Sequence, residues 1–233
     1  MIYLHGFASS SGSGKATYLG ERLRERGVEL QTPDLNLPDF STLTVSRMLE
    51  QTRRLLESAP GPVTLIGSSL GGFVAVIAAA MWPERVKTLV LMAPALDFSD
   101  QGLSGPGGAD LGDWKRAGRL NVFHFGYGRV MPIHYELYED ARRYDAINAD
   151  LKMPVIIFQG RRDSAVDPKT VEAWARRRPN VELHMLDDGH QLTASVDYIW
   201  AEMQKFLGIG PTSKSPCTPP APPRDRSSAG RDR

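Results

Sequence analysis

Six residues, Gly67-Ser68-Ser69-Leu70-Gly71-Gly72, restrict the possible folds of this chain more than any other stretch. They stand between an apolar run, Pro62 to Ile66, and a second one, Phe73 to Met81. Gly67 to Gly71 fit G-x-S-x-G, in which a serine sits on a sharp turn from a strand into a helix. Such a turn exposes the Ser69 hydroxyl and leaves the Leu70 backbone N–H at a helix N-terminus, where it can stabilise a developing oxyanion. A serine before a helix is also what N-capping predicts, but a cap does not require glycine on both sides. Ser68, at the x position, is expected to point its side chain away from the chemistry.

The remaining pattern supplies a setting for that turn. Ile2-Tyr3-Leu4 is a short apolar strand running into His5-Gly6-Phe7. A helix is predicted over Lys15 to Arg26, stopped by Gly27, then a candidate strand Val28 to Leu30 and a helix from about Leu43 to Ser58. After the elbow helix, residues 70 to 81, come three apolar runs read as strands buried on both faces: Val86 to Met92, Pro154 to Phe158 and Val181 to Leu186. A last amphipathic helix is expected from about Thr193 to Leu207. Strands alternating with helices predict an α/β fold with a mostly parallel sheet covered on both faces.

Residues Asp97 to Asp150 break the alternation. Ser99 to Gly112 is rich in Gly and Ser and is expected to be a mobile loop, and Leu120–Phe125 and Val130–Tyr135 flank a Gly126–Arg129 turn as a β-hairpin. An insertion after a strand, over the carboxyl edge of the sheet, is where a lid sits. Trp114, Phe123, Phe125, Tyr127 and Tyr135 either shape an acyl pocket or form the core of the hairpin itself. The domain is thus expected over residues 1–208, with the lid insertion at 97–150. A Pro/Ser/Arg-rich tail, 209–233, is expected to be disordered.

Charge and cysteine usage exclude several functions. The net charge is +1, and the tail from Pro211 carries five Lys/Arg against two Asp, which leaves the remainder near −2. Neither nucleic acid nor an anionic membrane is expected as a partner. The single cysteine, Cys217, permits no internal disulfide, and no Cys/His metal cluster is available, so neither metal nor cofactor is expected. No basic and apolar leader opens the sequence and no apolar run spans a bilayer, so the expected address is the cytoplasm.

A serine hydroxyl is a weak nucleophile until a base removes its proton, so Ser69 needs partners. In folds built on this elbow the acid follows the serine and the histidine comes last. Of five histidines, His5 precedes the elbow, His124 and His134 lie in the insertion, and His184 falls within a strand. His190, in Asp187-Asp188-Gly189-His190 after the last strand, is the expected base. The acid belongs in the loop after the preceding strand, which offers Asp163 and Asp167. Asp163 is favoured because Asp167 precedes Pro168 and reads as a helix N-cap, with Asp97 as a fallback. The second oxyanion donor is expected from the first strand–helix loop, at the backbone N–H of Phe7 or, failing that, Ala8. His5 is expected to buttress that loop or simply to be a satisfied buried histidine.

Taken together, Tyr3-Leu4-His5-Gly6-Phe7, the elbow, Gly160-Arg161-Arg162-Asp163 and Asp188-Gly189-His190 resemble the α/β-hydrolase superfamily over residues 1 to about 208. The opening motif and the Ser-Ser-Leu-Gly-Gly elbow resemble its compact bacterial YqiA-like esterases. That resemblance implies a carboxylester or thioester hydrolase with Ser69, Asp163 and His190 as triad. It also implies a reduced sheet of about six strands, since the chain opens at what would be the third strand of a full hydrolase sheet. The same acyl-enzyme chemistry would serve an acyltransferase, and a non-catalytic binding protein would keep the fold without it. A phosphate-binding loop at Gly12-Ser13-Gly14-Lys15 is excluded, because G-x-x-x-x-G-K-[ST] would need Gly at Ser9 and Ser/Thr at Ala16. Lys15 then reads as the solvated first turn of a helix.

Overall fold

A computed structural model describes residues 1–99 and 109–210. Five strands form one parallel sheet: β1 (Ile2–Leu4), β2 (Val63–Ser68), β3 (Val86–Met92), β6 (Val155–Gly160) and β7 (Val181–Leu186), adjacent in that order. The expected strand at Val28–Leu30 is reduced to one bridge, Gln31 against Ile2, with backbone bonds of 2.8 and 2.9 Å on either side. The chain thus leaves β1 to the Gln31 side and returns to β2 on the other. Loops diverge at such a reversal and leave a crevice at the carboxyl ends of the strands.

Period-two alternation divides the core between the two faces. Leu4, Leu65, Leu89, Leu91, Val155 and Ile157 face one way, under α2 (Val45–Ser58), α3 (Leu70–Met81) and α6 (Pro168–Arg176). Tyr3, Ile66, Val90, Met92, Ile156 and Phe158 face the other, under α1 (Gly14–Arg24) and α7 (Val196–Leu207). Every residue of α3 from Leu70 to Ala79 is buried, which is why its sequence is apolar all round. β7 departs from expectation. It is an edge strand with Glu182 exposed and the rest only partly covered, because β6 is its only sheet neighbour.

Between β3 and β6 the chain forms α4 (Leu111–Ala117), the antiparallel hairpin β4 (Arg119–His124) and β5 (Arg129–His134), and α5 (Glu136–Ala141). The hairpin matches the sequence reading, whereas the two short helices were not foreseen. Of the stretch expected to be a mobile loop, residues 100–108 lie outside the described part, and Leu111 and Gly112 already belong to α4. Residues 211–233 of the tail also lie outside it. Trp114 packs edge-on against Tyr135 at 5.4 Å and donates its indole N–H to Ile133 O at 3.1 Å, so these two rings belong to the insertion's own core, whereas Phe123, Phe125 and Tyr127 are exposed. The Ser46 backbone N–H and hydroxyl both donate to Asp140 at 2.6 Å, fastening α5 to α2. No helix among the described residues is long and apolar enough to cross a membrane.

Candidate active site

The elbow has the conformation that its sequence pattern requires. Ser69 lies at φ 52°, ψ −119°, a region that costs a non-glycine residue on the order of 1–3 kcal/mol. Neighbouring backbone holds it there: its N–H donates to Met92 O at 3.0 Å, and its carbonyl accepts from Gly72, Phe73 and Ala95. Although Ser69 stands at the N-cap position of α3, its hydroxyl makes no capping bond. Gly71 is obligatory for a different reason, since a Cβ there would lie 2.1 Å from Leu4 O, where α3 crosses the end of β1.

The Ser69 hydroxyl instead meets His190 Nε2 at 3.1 Å, across 121 residues of sequence. His190 Nδ1 meets Asp163 Oδ2 at 2.9 Å. An ionised carboxylate only accepts, so the ring proton sits on Nδ1 and Nε2 is left to receive the serine proton. Asp163 is itself anchored. Its Oδ1 accepts from the backbone N–H of Ala165 and Val166, both at 2.9 Å, and its Oδ2 accepts from the buried Gln159 amide at 3.0 Å. Burial pushes the Asp163 carboxyl up, but the bonds from His190, Val166 and Ala165 outweigh it and hold the group below the ordinary carboxylate value. Asp167 caps α6 through Lys169 N at 3.0 Å, the role read from its sequence position. The loops carrying acid and base are zipped together: Arg162 N–H donates to Asp188 O at 3.0 Å, and a Cβ on Gly160 would lie 2.5 Å from that same carbonyl.

On the opposite side of Ser69 is the loop after β1. No backbone carbonyl among the described residues accepts from the N–H of Phe7 or of Leu70. His5 is buried and buttresses this loop, donating from Nδ1 to Gly6 O at 2.9 Å and accepting at Nε2 from Leu35 N–H at 3.0 Å. Burial lowers its pKa, against the raising effects of Gly6 O and Asp34. The hairpin braces the same loop from outside. Phe7 packs on Phe40, Phe40 meets His124 edge-on at 4.6 Å, and His124 stacks on Tyr127 at 4.0 Å. Gly126 N–H also donates to Ala8 O at 3.3 Å.

All four described non-glycine residues with positive φ, Ala8, Ser69, Ala93 and Leu192, lie in the loops at this carboxyl edge. Strain of this kind gathers where a site over-determines its backbone. A cavity of roughly 350 Å³ opens beside Ser69 and His190, lined by the β1–α1 loop, the first turn of α1 and the start of the segment leading to α7. None of the described insertion residues lines it, so Trp114, Phe123, Phe125, Tyr127 and Tyr135 do not shape this pocket. Lys15 does line it. The lysine is half-buried, with Nζ donating to Gln191 O at 2.8 Å, which corrects the reading of a solvated helix turn. Gln159, an apolar-strand glutamine, had no sequence signal beyond lying four residues before Asp163.

Residues 1–207 match the family described as "Uncharacterised protein family (UPF0227)". The chain belongs to this family. This UPF0227 chain is 31% identical over 131 residues to the biotin biosynthesis bifunctional protein BioHC of Teredinibacter turnerae, and it covers 22% of that protein's length. Its fold is that of Est1E from Butyrivibrio proteoclasticus, solved with ferulic acid bound, at TM-score 0.78 and 20% identity, with 88% and 86% of the two chains covered. Mouse α/β hydrolase domain-containing protein 10 matches at TM-score 0.72 and 22% identity, with 89% and 88% covered. The UPF0227 chain therefore has the α/β-hydrolase fold, and its Ser69–His190–Asp163 contacts are of the serine-hydrolase kind, consistent with an acyl-enzyme mechanism.

Proposed function

We propose that this protein hydrolyses a carboxylester or thioester, with Ser69 as nucleophile, His190 as general base and Asp163 as the acid that orients it. The continuous chain of bonds from the Ser69 hydroxyl through His190 to a buried, anchored Asp163 carries the proposal. Ser69 Oγ attacks the carbonyl carbon while its proton passes to His190 Nε2, and Asp163 stabilises the imidazolium. The backbone N–H groups of Phe7 and Leu70, free of backbone acceptors, hold the oxyanion. His190 then returns the proton to the leaving alkoxide or thiolate as the tetrahedral intermediate collapses. Water, deprotonated by the same imidazole, releases the acid and restores Ser69.

The finer placement among the YqiA-like esterases rests on the Tyr3–Phe7 and elbow motifs. The division into a domain at 1–208 with a lid insertion at 97–150 and a separate tail at 209–233 is part of the same reading, as is a cytoplasmic address. The ferulic acid bound to Est1E supports an ester of a carboxylic acid as substrate.

The test is labelling with a fluorophosphonate probe followed by peptide mapping, alongside a panel of p-nitrophenyl esters of rising chain length. Label is expected on the peptide containing Ser69, and both label and turnover are expected to vanish in Ser69→Ala. Label that persists in Ser69→Ala would reject the nucleophile, and a protein inert to both probe and esters would favour a binding role.

A further inference from the structure

The cavity beside Ser69 has an uneven chemistry. Tyr3, Ser9, Ser13, Tyr18 and Thr193 bring hydroxyls to it, Lys15 brings a cation, and no Asp or Glu lines it among the described residues. Long saturated acyl chains call for a wholly apolar pocket, whereas here Phe7, Val196 and the Tyr3 and Tyr18 rings share the wall with that cation and those hydroxyls. Building on the reading of Ser69 as nucleophile, we propose that Lys15 is a specificity-determining residue that selects esters carrying an anionic group, a carboxylate or phosphate, on the part of the substrate lying in this cavity.

Three observations converge on Lys15. Its Nζ has three donors, and the bond it makes is to Gln191 O, at 2.8 Å. No carboxylate among the described residues pairs with it within 4.0 Å, and Asp188 and Asp163 act on it only at longer range. Asp197, next in sequence to the lining residue Val196, is bonded by the Tyr18 hydroxyl. Desolvation pulls the Lys15 pKa down to about 8 against the raising effect of Asp188 and Asp163, so the ammonium persists at neutral pH while lacking part of its hydration. A half-buried cation with donors to spare gains more from an anion than a solvated one does. The bond to Gln191, next to His190, places that charge at the edge of the triad.

The same bond could serve only as a tether between α1 and the His190 loop, and the experiment separates the two roles. Hydrolysis by the full chain at pH 7 is followed by pH-stat on two matched pairs. Monoethyl glutarate against ethyl valerate puts the anion on the acyl side, and 3-butyryloxypropanoate against propyl butyrate puts it on the alcohol side. The wild type is expected to prefer the anionic member of one pair by about tenfold or more in kcat/KM, the size of one charge-assisted hydrogen bond. Which pair shows the preference identifies the side. Lys15→Met is expected to erase the preference and Lys15→Glu to reverse it. Absence of preference in both pairs overturns the proposal, as does a Lys15→Met that slows both members equally and keeps their ratio. Calorimetric titration of Ser69→Ala with the same four esters tests the cation apart from the chemistry. Tighter binding of an anionic ester that is lost in Ser69→Ala with Lys15→Met supports the Lys15 role even if the wild type hydrolyses none, a result that would count against Ser69 alone. Equal binding of both members by Ser69→Ala overturns it.

Discussion

Asp163 has four donors around two oxygens: His190, Gln159 and the backbone of Ala165 and Val166. With its orientation so determined, the imidazole it holds presents Nε2 to Ser69 in one tautomer. Asp163→Asn preserves the volume but turns one acceptor into a donor, so the ring is held with its proton on the wrong nitrogen. We expect kcat to fall by on the order of 10⁴-fold, as wrong-tautomer variants do, with folding retained by circular dichroism. Asp167→Asn, altering a carboxylate that caps α6, is expected to change kcat by less than about threefold, since Asn caps about as well as Asp. Steady-state kinetics on one p-nitrophenyl ester checks both, and a near-normal Asp163→Asn rate would move the acid elsewhere.

At the scale of elements, the site depends on how closely α3 and β2 approach the end of β1. The approach is possible only because Gly71 has no side chain opposite Leu4 O and His5 O. Backbone cannot yield as a flexible side chain can, so Gly71→Ala must move the helix start and with it Ser69. We expect about 3 kcal/mol of lost stability, at the upper end of overpacking costs, from urea unfolding. A fall in turnover larger than the unfolded fraction accounts for should accompany it. An unchanged urea midpoint would show that the elbow tolerates a wider spacing. The insertion works at the same scale: through Phe40, His124 and Tyr127 its described residues brace the loop that carries Phe7.

For the molecule as a whole, acid stability follows from which buried groups resist protons. The folded pKa of His5 is below its ordinary 6.5, chiefly through burial. His124 is lowered too, by burial and then by His5. The unfolded chain therefore takes up these protons first. Stability that is complete above pH 6.5 declines as the pH falls through the folded values. Asp163 is held below its ordinary 3.8, so its contribution is complete above that value and is lost only as the pH falls through its own folded pKa. Two separate acid windows are expected in urea midpoints measured from pH 8 to pH 3. His5→Gln should flatten the upper window and leave the lower, and an unchanged slope between pH 7 and 5 would refute the assignment.

What the amino-acid sequence determined by itself is local and periodic. The glycines at 67 and 71 around Ser69 announce a tight strand–helix turn, and apolar runs at 62–66, 86–92 and 154–158 announce buried parallel strands, because burial on both faces leaves few polar positions. Chain order then pointed to Asp163 and His190, and the hairpin showed itself through its turn. Tertiary structure decided what depends on neighbours distant in sequence. Whether Val28–Leu30 becomes a strand depends on pairing, and only Gln31 finds it. Gln159 meets Asp163 only through the path of the loop after β6, and of the insertion's aromatics Trp114 is buried against Tyr135 while Phe123, Phe125 and Tyr127 stay exposed. Lys15 shows the difference most plainly. At the first turn of a helix any lysine reads as solvated, and it is the loop after β7, 176 residues away, that folds Gln191 over it and makes it part of the cavity beside Ser69.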